Sequence, residues 1–410
     1  MPDVSFTNLL VVAAVAVLAP LTVGFVPRLR IPAVVLEIIG GIIIGPSGLG
    51  WVHVDLPVAI LALFGLAFLL FLAGLEIDVH RLRGRLLRYA VLGYLVGLVL
   101  GYGAGASFQA LGWVSQPLLI AITLSATALG LVVPVLKDAG QVHSQVGQTA
   151  LAAASVADFT AIVLLSLFFS SSGGSTGSKV VVLGAFAGLV AVTGLVVSGA
   201  ARSMRLGQVL VRLQDTTAEI RVRFAVLLLV AFTALAERFG LESILGAFLA
   251  GAIVGLVDRD SASHPQFRAK LDAIGYGFLV PVFFVSSGIR LDLTGLLHSP
   301  SALVRVPVFL LALLVARGVP ALLGLRANGP RATLALGLLQ ATSLPFIVTI
   351  TQIGVALGKI TPVTAAALVC AGLLSVLIFP LLALANLRRM EPVPAPAPAV
   401  TEPVPEPHLM

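Results

Sequence analysis

Residues 56–78 read LPVAILALFGLAFLLFLAGLEID, an uncharged run that meets its first carboxylate only at Glu76. A helix rises 1.5 Å per residue, so about 20 apolar residues cross the ~30 Å hydrocarbon core of a bilayer. Blocks of this kind fill most of the chain. Of its 410 residues 59% are hydrophobic and 10% charged, and its mean hydropathy is +1.10; a soluble domain carries about 25% charged residues. The blocks are too long and too continuously apolar for the alternating strands of a membrane β-barrel. The expected fold is therefore an all-α polytopic membrane protein of about 13 transmembrane helices.

Those helices are predicted near residues 6–25, 31–50, 56–77, 86–110, 116–137, 145–169, 179–200, 220–238, 241–257, 271–288, 302–325, 331–357 and 361–386. The net charge of +7 sits in short loops between apolar blocks, so it points to membrane orientation and gives no reason to expect a nucleic-acid partner. With the N-terminus outside, the basic clusters at Arg28 and Arg30, at Arg81 to Arg88, and at Arg388 and Arg389 all fall on the cytoplasmic side. The expected topology is N-terminus out and C-terminus in, across a bacterial inner membrane. Cys370 is the single cysteine, and no Cys/His cluster has metal-ligand spacing, so no cofactor is expected and the chain does not read as an enzyme.

Two pairs of short segments recur at nearly one offset. Ala73-Gly74-Leu75-Glu76-Ile77-Asp78 in the third block resembles Ser287-Gly288-Ile289-Arg290-Leu291-Asp292 in the tenth, and Ser125-Ala126-Thr127-Ala128-Leu129 in the fifth resembles Gln340-Ala341-Thr342-Ser343-Leu344 in the twelfth. An odd number of helices separates the copies, so they enter the membrane from opposite sides, as in the inverted-topology repeats of secondary transporters. The predicted layout is a transmembrane domain over 1–390, with a first repeat at 6–169, a linker helix at 179–200 and a second repeat at 220–388. The Pro-rich segment 391–410 is predicted to be a disordered cytoplasmic tail.

The fifth and twelfth blocks each carry hydroxyl residues beside a proline, Pro134 and Pro345 respectively. Both are predicted to be discontinuous helices crossing at mid-membrane, lined by Ser125, Ala126, Gln340, Thr342 and Ser343. Non-helical backbone at that depth is tolerated only where it faces protein or a wet cavity. Asp158 lies near the middle of the sixth block, where an unpaired carboxylate costs several kcal/mol or more. Gln148, Ser155, Asp158 and Ser166 fall on one helical stripe, which predicts a hydrophilic face. Arg317 is the other charge farthest from an interface; it keeps its proton at physiological pH and so supplies fixed charge. Glu37 is deep in the second block and reads as part of a path or of the scaffold. Glu76 lies close enough to the Arg81 to Arg88 cluster for an interfacial ion pair.

Taken together, Pro32, Glu37, Gly40-Gly41, Gly45-Pro46-Ser47-Gly48-Leu49-Gly50, Phe71 to Asp78, Ser125 to Ala128, Leu245 to Gly251 and Phe283 to Gly288 resemble bacterial monovalent cation:proton antiporters of the Kef and NapA branch. The resemblance implies a homodimer, with a dimerisation part from helices one to three and eight to ten. It implies a moving core of helices four to six and eleven to thirteen, with the broken helices crossed beside Asp158. The chain departs from that pattern in having Ala157 before Asp158 and Arg317 where many members carry lysine, and it lacks an appended nucleotide-binding domain, which leaves room for a separate cytoplasmic regulatory subunit. The expected activity is electroneutral exchange of Na+ or K+ for H+, with Asp158, Ser155 and Thr127 as oxygen ligands and Glu37 and Glu76 as accessory acids. A cation channel and a sodium-coupled solute symporter of similar build stay open as alternatives.

Overall fold

The computed structural model describes residues 5–25, 32–76, 84–129, 132–133, 136, 140–142, 144–169, 176–201, 219–257 and 265–387, and helices are the regular elements among them. In chain order these are α1 (Thr7–Phe25), α2 (Ala33–Ile44), α3 (Leu56–Leu75), α4 (Gly84–Ala110), α5 (Pro117–Ser125), α6 (Gln145–Phe169), α7 (Thr176–Ala201), α8 (Ile220–Arg238) and α9 (Ser243–Val257). Next comes α10, a rod in which Pro265–Ile274 passes through the π-turn Gly275–Leu279 into Val280–Ile289. Two one-turn helices, Leu293–Leu297 and Pro300–Leu303, lead to α11 (Arg305–Gly318), which tightens into the 3-10 segment Val319–Gly324. The discontinuous α12 has halves Leu325–Gln340 and Pro345–Ala356, and α13 (Pro362–Leu387) closes the bundle. The predicted tail at 391–410, together with Pro134 of the fifth block, lies outside the described residues.

Helix ends follow local chemistry. Pro117, Pro345 and Pro362 open α5, the second half of α12 and α13, at the position where a missing N–H costs nothing. Asp55 caps α3, its Oδ1 accepting from the Val58 amide at 3.2 Å while its Oδ2 accepts from Asn8 Nδ2 at 3.0 Å. The second helix is shorter than the predicted 31–50, ending at Ile44. Pro46 cannot supply the next helical N–H, and Gly45 to Gly50 instead fold back on the helix end, with the Leu49 amide bonded to the Ile43 carbonyl at 2.7 Å.

The inverted repeat is visible in the packing. The second helix of the first repeat, α2, packs against α10, the third helix of the second; reciprocally, α3 packs against α9. Both contacts are made backbone to backbone. Gly41 lies on the Val285 carbonyl and Gly288 on the Ile38 carbonyl, while Gly74 meets the Phe248 carbonyl and Gly251 the Phe71 carbonyl, all too close to admit a Cβ. These helices and α1 form one group, and α4, α5, α6, α11, α12 and α13 pack together as another.

Gly41→Val and Gly288→Val should each lower the thermal midpoint or abolish the folded yield, since overpacking costs about 1–3 kcal/mol even where side chains can yield, and here the obstacle is a carbonyl. Gly103→Val, which meets nothing within 4 Å, should leave the size-exclusion profile of detergent-purified protein unchanged.

Candidate functional site

The site begins where two helices stop. α5 ends at Ser125 and the chain turns extended at Ala126, with φ −74° and ψ 152°. The first half of α12 ends at Gln340, and Leu344 departs from helical geometry immediately before Pro345, as the residue preceding a proline tends to do. The two breaks meet. The Ala128 amide donates to the Thr342 carbonyl at 3.0 Å, and Thr127 Oγ1 donates to the Gln340 carbonyl at 3.0 Å. Neighbouring helices satisfy part of the freed backbone: Ser375 of α13 accepts from the Ser343 amide at 3.2 Å and donates to its carbonyl at 3.0 Å. Ser125 Oγ donates to the Tyr94 hydroxyl of α4 at 3.1 Å. Tyr94 and Ser375 were not singled out by the sequence, although each is a polar group in the interior of an apolar block.

Asp158 faces this crossing from α6 and is 2% exposed. The peptide N–H groups of Thr127 and Leu129, freed by the break, donate toward its carboxylate, and its Oδ1 has no hydrogen-bond partner among the described residues. Gln340 Nε2 and Ser343 Oγ are likewise buried without a partner. Polar atoms in such a state are uncommon in interiors and mark places where a water or an ion would be welcome.

Arg317, 1% exposed in the last turn of α11, reaches the same crossing. Its Nε and Nη2 donate to Thr127 Oγ1 at 2.9 and 2.5 Å. The guanidinium is thus anchored to the break rather than joined in direct contact to Asp158, although the two charges lie near enough to interact electrostatically. This arrangement alters the reading of Thr127. Its hydroxyl accepts from Arg317 and donates to Gln340, which leaves it no ready lone pair for a cation.

The predicted polar stripe on α6 is used differently from expectation. Ser155 Oγ donates to the Leu151 carbonyl at 2.9 Å, Gln148 Nε2 to the Val142 carbonyl at 2.7 Å, and Ser166 Oγ accepts from the Glu242 amide at 3.1 Å. Hydroxyls within helices commonly turn back to the i−4 carbonyl. Of the stripe, Asp158 alone lines the cavity described next.

A cavity of about 400 Å³ runs from the crossing to one end of the molecule, with Asp158, Ala128 and Pro345 at one wall and Glu37, Glu76 and Tyr276 at the other. A smaller cavity of about 290 Å³ lies at the other end of α10, beside Arg290 and Asp292, and its lining does not include Asp158. At its wall Gln352 Nε2 of α12 donates to Ser287 Oγ of α10 at 2.9 Å. Of these two cavities, Asp158 lines the one at the Glu76 end of α3.

Thr127→Val should destabilise the protein by about 1–3 kcal/mol, because it strands buried donors of Arg317. Thr127→Ser should restore most of the loss, read as the thermal midpoint in detergent.

The sodium/hydrogen exchanger transmembrane family matches residues 13–384. YjbQ of Bacillus subtilis (strain 168), which bears the name of a Na+/H+ antiporter, is 32% identical over 400 residues, covering 93% of this chain and 63% of its own length. A Na+/H+ antiporter of Enterococcus hirae is 31% identical over 272 residues, covering 65% of this chain and 68% of its own. The chain thus spans a little under two thirds of the YjbQ length. In fold, it is similar to the sodium proton antiporter MjNhaP1 of Methanocaldococcus jannaschii at pH 8, with a TM-score of 0.60 at 20% identity over 91% of this chain and 95% of that one. Crossed broken helices, an inverted repeat and a family match across nearly all of the membrane domain lead to one conclusion: the chain belongs to the sodium/hydrogen exchanger transmembrane family.

Proposed function

We propose that the protein exchanges a monovalent cation, Na+ or K+, for protons, and that Asp158 binds the two in turn. The observation that carries this reading is the Asp158 carboxylate itself, buried beside two broken helices with one oxygen unpartnered and open to a cavity on one side. A lone carboxylate can hold a proton or a cation but not both, so the two compete. Backbone carbonyls of the crossed breaks supply further oxygens, and Ser155, one turn before Asp158, offers the lone pair that its bond to Leu151 leaves over. Thr127 serves as the strut between Arg317 and the break. Arg317 supplies a fixed positive charge at the crossing.

Loaded with H+ or with a monovalent cation, the Asp158 site carries the same charge, so a one-for-one cycle moves no net charge. The group of α4, α5, α6, α11, α12 and α13 acts as the moving core, and α1 to α3 with α8 to α10 as the dimerisation part of a homodimer. Rigid-body movement between them exposes Asp158 to each side in turn. The proposed setting is a bacterial inner membrane with the N-terminus outside. The sequence match to named antiporters supports exchange over a channel or a solute symporter.

In acid-loaded proteoliposomes containing a pH dye, addition of Na+ or K+ should restore internal pH, and Asp158→Asn should abolish the recovery while leaving the purified protein monodisperse. Full activity in that variant would place the site elsewhere. Competition also has a signature: each unit of lower pH on the cation side should raise the apparent KM for the cation by up to about tenfold at unchanged maximal rate, as mass action at a shared site requires. Electroneutrality predicts that a valinomycin-clamped membrane potential leaves the rate unaltered.

A further inference from the structure

A second carboxylate lies in the same cavity, on the opposite wall, and the exchange cycle just described does not use it. Glu37 of α2 is 6% exposed, yet no hydrogen bond or ion pair holds it among the described residues. Its chain neighbours Leu36 and Ile38 are aliphatic, and nothing in the geometry of α2 requires an acid at that position. An unpaired carboxylate at membrane depth is expensive. The charged and titratable groups facing it across the cavity are Glu76 from α3, Tyr276 from α10 and Asp158 from α6, while α1, which also packs on α2, brings none. Among the described residues no basic side chain lines the cavity, so a negative charge on Glu37 finds no partner among them.

We infer that Glu37 is a staging site for the transported cation, holding it within the cavity before it passes to Asp158. The inference rests on the exchange reading. Position supports it: α2 is locked to α10 through Gly41 and Gly288, each on the other helix's backbone, so Glu37 belongs to the wall that stays fixed, whereas Asp158 belongs to the group that carries the broken helices. A carboxylate on the fixed wall attracts a cation only when Asp158 faces this cavity. When the core turns toward the other side, Glu37 stays behind. Its contribution is therefore one-sided, unlike that of Asp158, which serves both faces.

This asymmetry provides the test. Exchange is measured in right-side-out and everted membrane vesicles with Na+ or K+ offered on one face at a time. Glu37→Gln should raise the apparent KM for the cation roughly threefold to tenfold on the face where this cavity opens, the size expected of one charge several ångströms away in a wet cavity. The opposite face should keep the wild-type value, and Glu37→Asp should recover most of the affinity. Unchanged kinetics on both faces, or an equal change on both, would overturn the assignment. Should the Gln variant fold poorly, wild-type protein provides a second measurement: a hydrophobic carbodiimide should label Glu37, read by peptide mass, and Na+ or K+ should slow that labelling. Labelling indifferent to either cation counts against the proposal. Wild-type vesicles that exchange, together with a silent Glu37→Gln, remove this inference alone; wild-type vesicles that do not exchange remove the exchange reading itself.

Discussion

The constraint on which the structure turns is the cost of keeping the Asp158 carboxylate away from water. At 2% exposure it lacks bulk solvation, and among the described residues no basic side chain contacts it directly. What it has are peptide N–H groups of Thr127 and Leu129, exposed because α5 stops at Ser125. A continuous helix would have spent those amides on its own carbonyls. The break therefore serves as a fixed set of dipoles aimed at an anion, which is how a protein lowers the cost of a buried charge without cancelling it. Arg317 adds charge at one remove, through Thr127. Direct pairing would hold the carboxylate permanently ionised and leave a proton or cation little reason to bind.

That balance bears on coupling. In the proposed exchange, a carboxylate comfortable when empty at every depth would let the core return unloaded, and the gradient of one ion would leak without moving the other. In the proposed cycle, partial stabilisation by dipoles and an offset guanidinium keeps the empty state reachable while Asp158 faces a cavity and leaves it unfavourable when enclosed. On the proposed cycle, obligatory exchange would follow from electrostatics without a separate lock.

Much of the fold was legible in the residues because its rules are coarse. Apolar blocks of bilayer length and the paired Ser125–Leu129 and Gln340–Leu344 segments are linear features, and each corresponds to an observed element or break. The site was legible to the level of residue choice, not of contact. Asp158 and Arg317 stand out because a charge at membrane depth is rare. That Arg317 bonds Thr127, that Ser155 turns to Leu151, and that Tyr94 and Ser375 brace the breaks depends on which helix faces which, and helical periodicity within one segment carries no such information. The short α2 is a local case: Gly45 and Pro46 end a helix that block length alone would carry further.

The reciprocal contacts α2 with α10 and α3 with α9 also bear on the proposed pairing of a rigid wall with a moving group in a bundle of apolar helices. In lipid there is no hydrophobic drive to hold helices together, so cohesion comes from close packing and is strongest where small residues let backbones touch. Gly41, Gly74, Gly251 and Gly288 concentrate such contacts in one half of the molecule. Between that half and α6 the contact is of another kind, with the rings of Phe159 and Phe248 6.0 Å apart and tilted. Aromatic faces of this sort slide at modest cost, whereas a carbonyl seated on a glycine does not. The distribution of glycine thus supports the proposed division, in which the carboxylate that the two ions share lies on the side that has fewer such locks.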